Sequence, residues 1–320
     1  MGYTCLSTLR PPATPPGVAV LELARPAAAN ALSATAFVEL REAMRELGAD
    51  PDVRCVVLRG QGKHFCAGAD LSALASAAPR GDGPCPGRER ERLYAQIIAW
   101  QAAMTSLEDC RVPVVAALHG ACVGAGVDLI TAADVRLASA DAMFCVKEVD
   151  LAIVADLVGR WSGWMGGGGW GEGRQCRLDA APATPSPSHP HPTTPSALLS
   201  QGTLQRLPRI VGDGVARELA LTARTIGAAE AERVGLVSRV LPSPAALHAD
   251  ALATAAALAA KSPLALAGTK RVLLDGRGVG VGAGLRAVAA HNAAFLPSAD
   301  LAEALAAAAG RRAPVFRARL

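Results

Sequence analysis

Apolar residues fall along this chain in alternating runs, some of strand length and some at helical spacing. Val18–Leu23 and residues 53–59 are short apolar runs of strand type. Between them Phe37, Leu40, Met44 and Leu47 recur at helical spacing, and Ser33 stands where it can cap the start. Leu93, Ile97, Trp100, Met104 and Leu107 step by four, three, four and three. That is one apolar stripe on a long helix, and core packing is its simplest use. Val114–Leu118 predicts a buried strand, and the glycine-rich turn 120–126 then leads into a helix carrying Asp128. The longest apolar run, 112–135, is broken by His119, Asp128 and Asp134. It predicts strand, turn and buried helix rather than a membrane span. Beyond Leu241 the chain is nearly all Ala-rich helix, which predicts a separate C-terminal helical part over 242–320.

One segment follows neither period. Eight of the fifteen residues 159–173 are Gly, and six prolines alternate with Ser, Thr and His over 182–195. This composition predicts a low-complexity, disordered insertion over 158–201 between two parts of a core, 18–157 and 202–241. His189, His191 and Cys176 fall inside it at a spacing that matches no common metal site, so no metal is expected.

Length and composition narrow the class. At 320 residues the chain can bury a large core. A net charge of +4, without a basic block or an acidic tail, gives no footprint for nucleic acid. Eight cysteines without CxxC spacing predict free thiols in a reducing compartment. Prolines stand where a signal peptide needs an apolar stretch, so 1–17 reads as a flexible N-terminus. Ala318-Arg319-Leu320 has the small-basic-leucine form of a peroxisomal tripeptide; a chance ending in an Ala- and Arg-rich chain is the alternative.

The candidate chemistry lies in three carboxylates within an apolar stretch: Asp128, Glu148 and Asp156. Only Arg136 and Lys147 supply cations between Ile130 and Asp156. Carboxylates buried in such surroundings are protonated, paired or functional. A carboxyl group whose pKa is raised by an apolar pocket can pass protons near neutral pH. That points to moving a proton on a substrate rather than to binding a metal. For Asp156, a capping or surface aspartate is the alternative. Two turns of small residues, Phe65-Cys66-Ala67-Gly68-Ala69-Asp70-Leu71 and His119-Gly120-Ala121-Cys122-Val123-Gly124-Ala125-Gly126, precede apolar stretches. Two backbone N–H groups aimed at one oxygen form an oxyanion hole, worth ~3–4 kcal/mol per donor in a transition state. Neither turn is GxGxxG, so a dinucleotide fold is not expected; tight turns needed only for packing remain open.

Gly62-Lys63-His64-Phe65-Cys66-Ala67-Gly68-Ala69-Asp70-Leu71 and Pro113-Val114-Val115-Ala116-Ala117-Leu118-His119-Gly120 resemble the enoyl-CoA hydratase/isomerase (crotonase) superfamily. Gly126-Val127-Asp128-Leu129-Ile130, Val146-Lys147-Glu148-Val149-Asp150 and Gly202-Thr203-Leu204-Gln205-Arg206-Leu207-Pro208 resemble its delta(3,5)-delta(2,4)-dienoyl-CoA isomerase branch. The resemblance implies an α/β fold, a spiral of ββα repeats with a C-terminal helical trimerisation region, in homotrimers or homohexamers. It implies a fatty acyl-CoA thioester as substrate, with CoA part of the substrate and no separate cofactor. The oxyanion hole would be the N–H groups of Ala69 and Ala125. Asp128 and Glu148 would stand at the positions of the hydratases' two catalytic acids, and Asp156 at the extra acid of the isomerase. Lys63, Ala67, Gly68, Asp70 and Gly124 would line the substrate, with Lys63 a phosphate contact or a solvated lysine.

Moving two conjugated double bonds requires proton removal at C2 and delivery at C6, farther apart than one short carboxylate spans. Glu148 near C2 and Asp156 near C6 fit this, with Asp128 orienting Glu148 or tuning its proton affinity. Leu151, Ile153 and Val154 would help to exclude water. A 2-enoyl-CoA hydratase using only the first pair, and a non-catalytic crotonase-like binding protein, are the alternatives. Peroxisomes are the expected location, with mitochondria the alternative. Deleting 158–201 would restore Ala155-Asp156-Leu157-Gly202-Thr203, the family's continuous pattern. Val codons begin GT and one Gln codon ends AG, so the segment reads as a retained intron translated in frame; a genuine surface insertion is the alternative. Transcript sequencing across the junction decides: message lacking these codons is expected, and abundant message containing them contradicts the intron reading.

Overall fold

The computed structural model describes residues 2–10, 14–70, 85–151 and 202–316. Asp156, the 158–201 segment with Cys176, His189 and His191, and the tripeptide Ala318-Arg319-Leu320 lie outside the described residues. The main sheet has the order β1 (Leu6–Leu9), β2 (Val18–Leu23), β3 (Cys55–Gly60), β4 (Val114–Leu118), β6 (Val135–Ser139), β9 (Arg239–Leu241). The first two strands are antiparallel and every other pairing is parallel. Parallel neighbours need long crossovers. α1 (Ala34–Ala49) lies between β2 and β3, and α2 (Pro86–Asp109) lies between β3 and β4. Ser33 caps α1 as its position predicts, its Oγ accepting the Ala36 N–H at 3.2 Å.

Every residue of β2 and β4 is buried, as a parallel sheet covered on both faces requires. Alternation along the strands divides them between two cores. Leu21, Leu23, Val56, Leu58, Val114 and Ala116 pack with Phe37 of α1 and with Trp100, Met104 and Leu107 of α2. Val18, Val20, Cys55, Val57, Val115 and Ala117 pack under α7 (Pro244–Ala259), which meets them with Leu247, Ala251, Ala255 and Ala259. The chain beyond Leu241 therefore does not start as a separate unit, since its first helix closes the sheet's second face. α8 (Pro263–Asp275), α9 (Val281–Phe295) and α10 (Ala299–Ala309) follow.

Two further expectations are corrected. The N-terminal stretch is not flexible throughout: β1 forms the edge of the main sheet. Leu6 is buried, and the Glu39 carboxylate on α1 accepts the N–H groups of Thr4, Cys5 and Leu6 at 2.8, 2.8 and 3.2 Å. The turn 120–126 is not all turn, since it contains β5 (Ala121–Val123). β5 pairs with β7 (Met143–Cys145), and β7 pairs with β8 (Ile226–Gly227), in a second, three-stranded sheet. Single bridges, Leu32 to Ala69 and Cys66 to Cys122, carry this second layer back to the earlier turns of the chain. β4, β5 and the helix α3 (Ala125–Thr131), and then β6 and β7, add a strand to the main sheet followed by one to the second layer, whereas β8 and β9 add theirs in the reverse order around a helix. This is the ββα spiral expected. No single helix among the described residues is long and apolar enough to cross a membrane.

Candidate active site

The second layer holds the two glycine-containing loops side by side. Phe65 N–H donates to the His119 carbonyl at 2.9 Å, Cys66 N–H to Ala121 at 3.0 Å, and Val123 N–H to Cys66 at 2.9 Å. On the other side of the first loop, Leu32 N–H donates to the Gly68 carbonyl at 2.8 Å and Asp70 N–H to Leu32 at 2.9 Å. These two bonds flank Ala69 and leave its own N–H pointing away from Leu32. In the second loop Gly124 N–H donates to Cys145 at 2.9 Å, and Ala125 begins α3, where a helix N–H has no partner within the helix. Neither the Ala69 nor the Ala125 N–H has an acceptor among the described residues.

The loops meet closely because two positions lack a side chain. Gly68 has φ +106°, and a Cβ there would lie 3.1 Å from the Val123 carbonyl oxygen and 3.9 Å from the Ala125 nitrogen. Gly124 has φ +51° and ψ −119°, a conformation that favours glycine. A Cβ on Gly124 would lie 3.1 Å from Glu148 Oε1 and 4.0 Å from Gly68 Cα. One small space is therefore bordered by both free N–H groups and by the Glu148 carboxylate. Glu148 starts the short 3-10 turn Glu148–Leu151 after β7 and is itself buried. Beside it the exposed Lys147 and Asp150 pair with each other.

Asp128, in the first turn of α3, is 1% exposed. Its Oδ1 accepts the backbone N–H of Thr203 at 2.8 Å and also the Thr203 hydroxyl. Its Oδ2 has no hydrogen-bond partner among the described residues. Burial pushes the Asp128 carboxyl above its ordinary pKa, and the Thr203 donors and the positive Arg206 oppose that shift. Burial pushes the Cys66 thiol at the base of the loops up to about 12 and Cys122 well above its ordinary value, which disfavours their thiolates. All seven cysteines among the described residues are free thiols.

The other expected site residues have identifiable places. Lys63 is exposed on the loop that abuts Gly120. Ala67 is held by its N–H to the Ala29 carbonyl at 2.9 Å. The Asp70 carboxylate is engaged by Arg25 Nη2 at 3.0 Å, so it anchors the loop. Leu151 is about half exposed at 48%. Its neighbours Ile153 and Val154 lie outside the described residues. Sequence reasoning missed two contributors. Asn30, buried at φ +57°, donates from Nδ2 to the carbonyls of Gln61 and His64, both at 2.8 Å, and its Oδ1 accepts the Arg25 N–H. Thr203 is the other; its signal was its place in the Gly202–Pro208 motif. No group of three or more His, Cys, Asp or Glu among the described residues could hold a metal.

The enoyl-CoA hydratase/isomerase family profile matches residues 13–164 and 194–317, leaving the middle of the Gly/Pro-rich segment unmatched. An Arabidopsis thaliana protein, "Delta(3,5)-Delta(2,4)-dienoyl-CoA isomerase, peroxisomal", is 44% identical over 91% of this chain and 90% of its own length. Mitochondrial proteins of the same name from Dictyostelium discoideum and Homo sapiens are each 35% identical, over 95% and 90% of this chain and 88% and 74% of theirs. Among solved structures, an enoyl-CoA hydratase from Bacillus anthracis aligns at TM-score 0.75 with 26% identity, covering 99% of this chain and all of that one. One from Streptomyces coelicolor aligns at TM-score 0.76 with 27% identity, covering 99% of this chain and 96% of the other.

Proposed function

The chain belongs to the enoyl-CoA hydratase/isomerase family, and from that premise we propose that it converts 3,5-dienoyl-CoA to 2,4-dienoyl-CoA in the oxidation of unsaturated fatty acids. The observation that carries this reading is the close approach of the Gly68–Ala69 loop, the start of α3 at Ala125 and the buried Glu148 around one small space, with no acceptor for the Ala69 and Ala125 N–H groups among the described residues. The thioester oxygen accepts both N–H groups, which stabilise the negative charge that develops as the C2 proton leaves. The Glu148 carboxylate takes that proton and becomes a carboxylic acid. The electron pair moves through the conjugated chain, and C6 takes a proton from Asp156, which becomes a carboxylate. The substrate gains and loses one proton, and exchange with solvent resets the two acids. Asp156 comes eight positions after Glu148 in the chain, which supports its assignment to the far end of the conjugated system. Lys63 contacts the CoA phosphates, and Gly68 and Gly124 let the thioester approach the backbone. CoA is part of the substrate and no separate cofactor enters. A spectroscopic assay with 3,5-dienoyl-CoA beside 2-enoyl-CoA tests the reading. Growth of 2,4-dienoyl-CoA absorbance is expected, and turnover of the 2-enoyl ester alone would make the chain a hydratase.

The protein works as a homotrimer or homohexamer. In support, Leu273, Leu285, Leu301 and Leu305 are exposed on the last three helices, and a cavity of about 480 Å³ opens between them. Named relatives are peroxisomal or mitochondrial. For this chain the peroxisome is favoured by Ala318-Arg319-Leu320. A fluorescent protein fused to the N-terminus, leaving Leu320 free, should give punctate peroxisomal signal. A diffuse pattern unchanged by deleting the last three residues would rule the tripeptide out as the address.

A further inference from the structure

Thr203 is fully buried at the first position of α4 (Thr203–Val211), 75 residues beyond Asp128 in the chain. It gives Asp128 two donors from a single residue, and both go to the same oxygen, Oδ1. A second anchor one turn along fixes the helix that carries it. Arg206 is buried, and its Nη2 donates to Glu108 Oε2 at 2.8 Å and to Thr105 Oγ1 at 3.1 Å, both on α2. The Asp128 carboxylate is therefore clamped at one oxygen by a helix that is itself held against the core. Its other oxygen, Oδ2, is buried without a hydrogen-bond partner among the described residues.

We infer that Thr203 is a positioning residue for Asp128, fixing its carboxylate by Oδ1 so that Oδ2 alone is left to face the reacting groups. The inference rests on Asp128 belonging to the proton-transfer machinery. The Thr203 hydroxyl also has an electrostatic part. Donation to a carboxylate favours its charged form, which opposes the desolvation that favours the neutral form. Burial dominates at Asp128, and Thr203 limits how far its pKa rises. Val in place of Thr keeps the shape and the backbone N–H and removes only the hydroxyl donor.

The experiment compares pH profiles of kcat for the wild-type protein and for Thr203→Val, Thr203→Ser and Asp128→Asn, with thermal unfolding of each. The limb of the profile that disappears in Asp128→Asn belongs to Asp128. In Thr203→Val that limb should move to higher pH by about one unit, the scale of one donor to a charged group. The direction is the same whichever protonation state is active, because the lost donor favoured the ionised form. kcat at neutral pH should fall ~10-fold with KM little changed, as for loss of an interaction with the reacting groups. Thr203→Ser should restore the wild-type profile. Should the valine variant not fold, Thr203→Cys, a weaker donor of similar size, reads a smaller shift in the same direction. A residue that only holds the helix would lower the unfolding temperature and leave the limb in place. That result, with the limb still lost in Asp128→Asn, overturns the inference alone. A wild-type profile in Asp128→Asn overturns the assignment of Asp128 and the inference with it.

Discussion

Glu148→Gln is expected to lower turnover of 3,5-dienoyl-CoA by ~10²-fold or more while leaving CoA-ester binding little changed. Gln keeps the size and planarity of the side chain, so the contact beside Gly124 survives and the two loops stay together. It cannot accept a proton at C2 near neutral pH. The proposed oxyanion donors, the Ala69 and Ala125 N–H groups, belong to the backbone and are unaffected, so residual activity should remain. A hundredfold loss corresponds to about 2.7 kcal/mol of transition-state stabilisation. Asp156→Asn should give a loss of similar size with 3,5-dienoyl-CoA, because it removes the acid proposed for C6. Stopped-flow turnover and CoA-ester affinity, measured on both variants, separate chemistry from binding. Near-wild-type turnover in Asp156→Asn would remove the case for two acids and favour the hydratase reading.

Lys270→Met is expected to destabilise the fold by about 3 kcal/mol, since it leaves the carbonyls of the buried Leu107 and Val112 without this donor. Lys270 sits on α8 and is 7% exposed. Its ammonium donates to the carbonyls of Leu107 at 2.7 Å and Val112 at 3.2 Å and pairs with Asp134 at 2.8 Å. Asp134 in turn accepts the Val114 N–H, at the start of β4, at 2.8 Å. One cation therefore ties α8 to the end of α2 and to the entry of the central strand. Met fills much of the same space but satisfies none of the three oxygen contacts. The midpoint of urea unfolding reports the loss, and a midpoint equal to wild type would show that the latch contributes nothing. The change lies apart from the loops that carry Ala69 and Ala125, so the folded fraction should keep its turnover.

Local pattern carried much of the architecture. The strands Val18–Leu23 and Val114–Leu118, the capped helix after Ser33 and the stripe from Leu93 to Leu107 can be read from residue spacing, because burial on one face imposes a period on the chain. The glycine-containing loops and the carboxylates Asp128 and Glu148 were also legible, since small residues and acids are conspicuous in an apolar background. β1 and β5 were not. Each is only three or four residues long and exists because of a partner elsewhere: β2 and the Glu39 carboxylate in the first case, β7 and the Cys66 bridge in the second. Strands that short have no period of their own.

By itself the sequence determined the longer strands and helices, which carboxylates are candidates for acid–base chemistry, and which family the motifs resemble. Tertiary structure alone decided what those residues meet. Only in the fold does a carboxylate on α3 find Thr203, 75 residues away, or Glu148 come within reach of the space over Gly124. The same holds for Asp70, whose charge the sequence offers to a substrate and the fold gives to Arg25. Propensity and periodicity act over a few residues, whereas hydrogen bonding, desolvation and the pKa shift of Asp128 depend on groups that only the packed chain brings together.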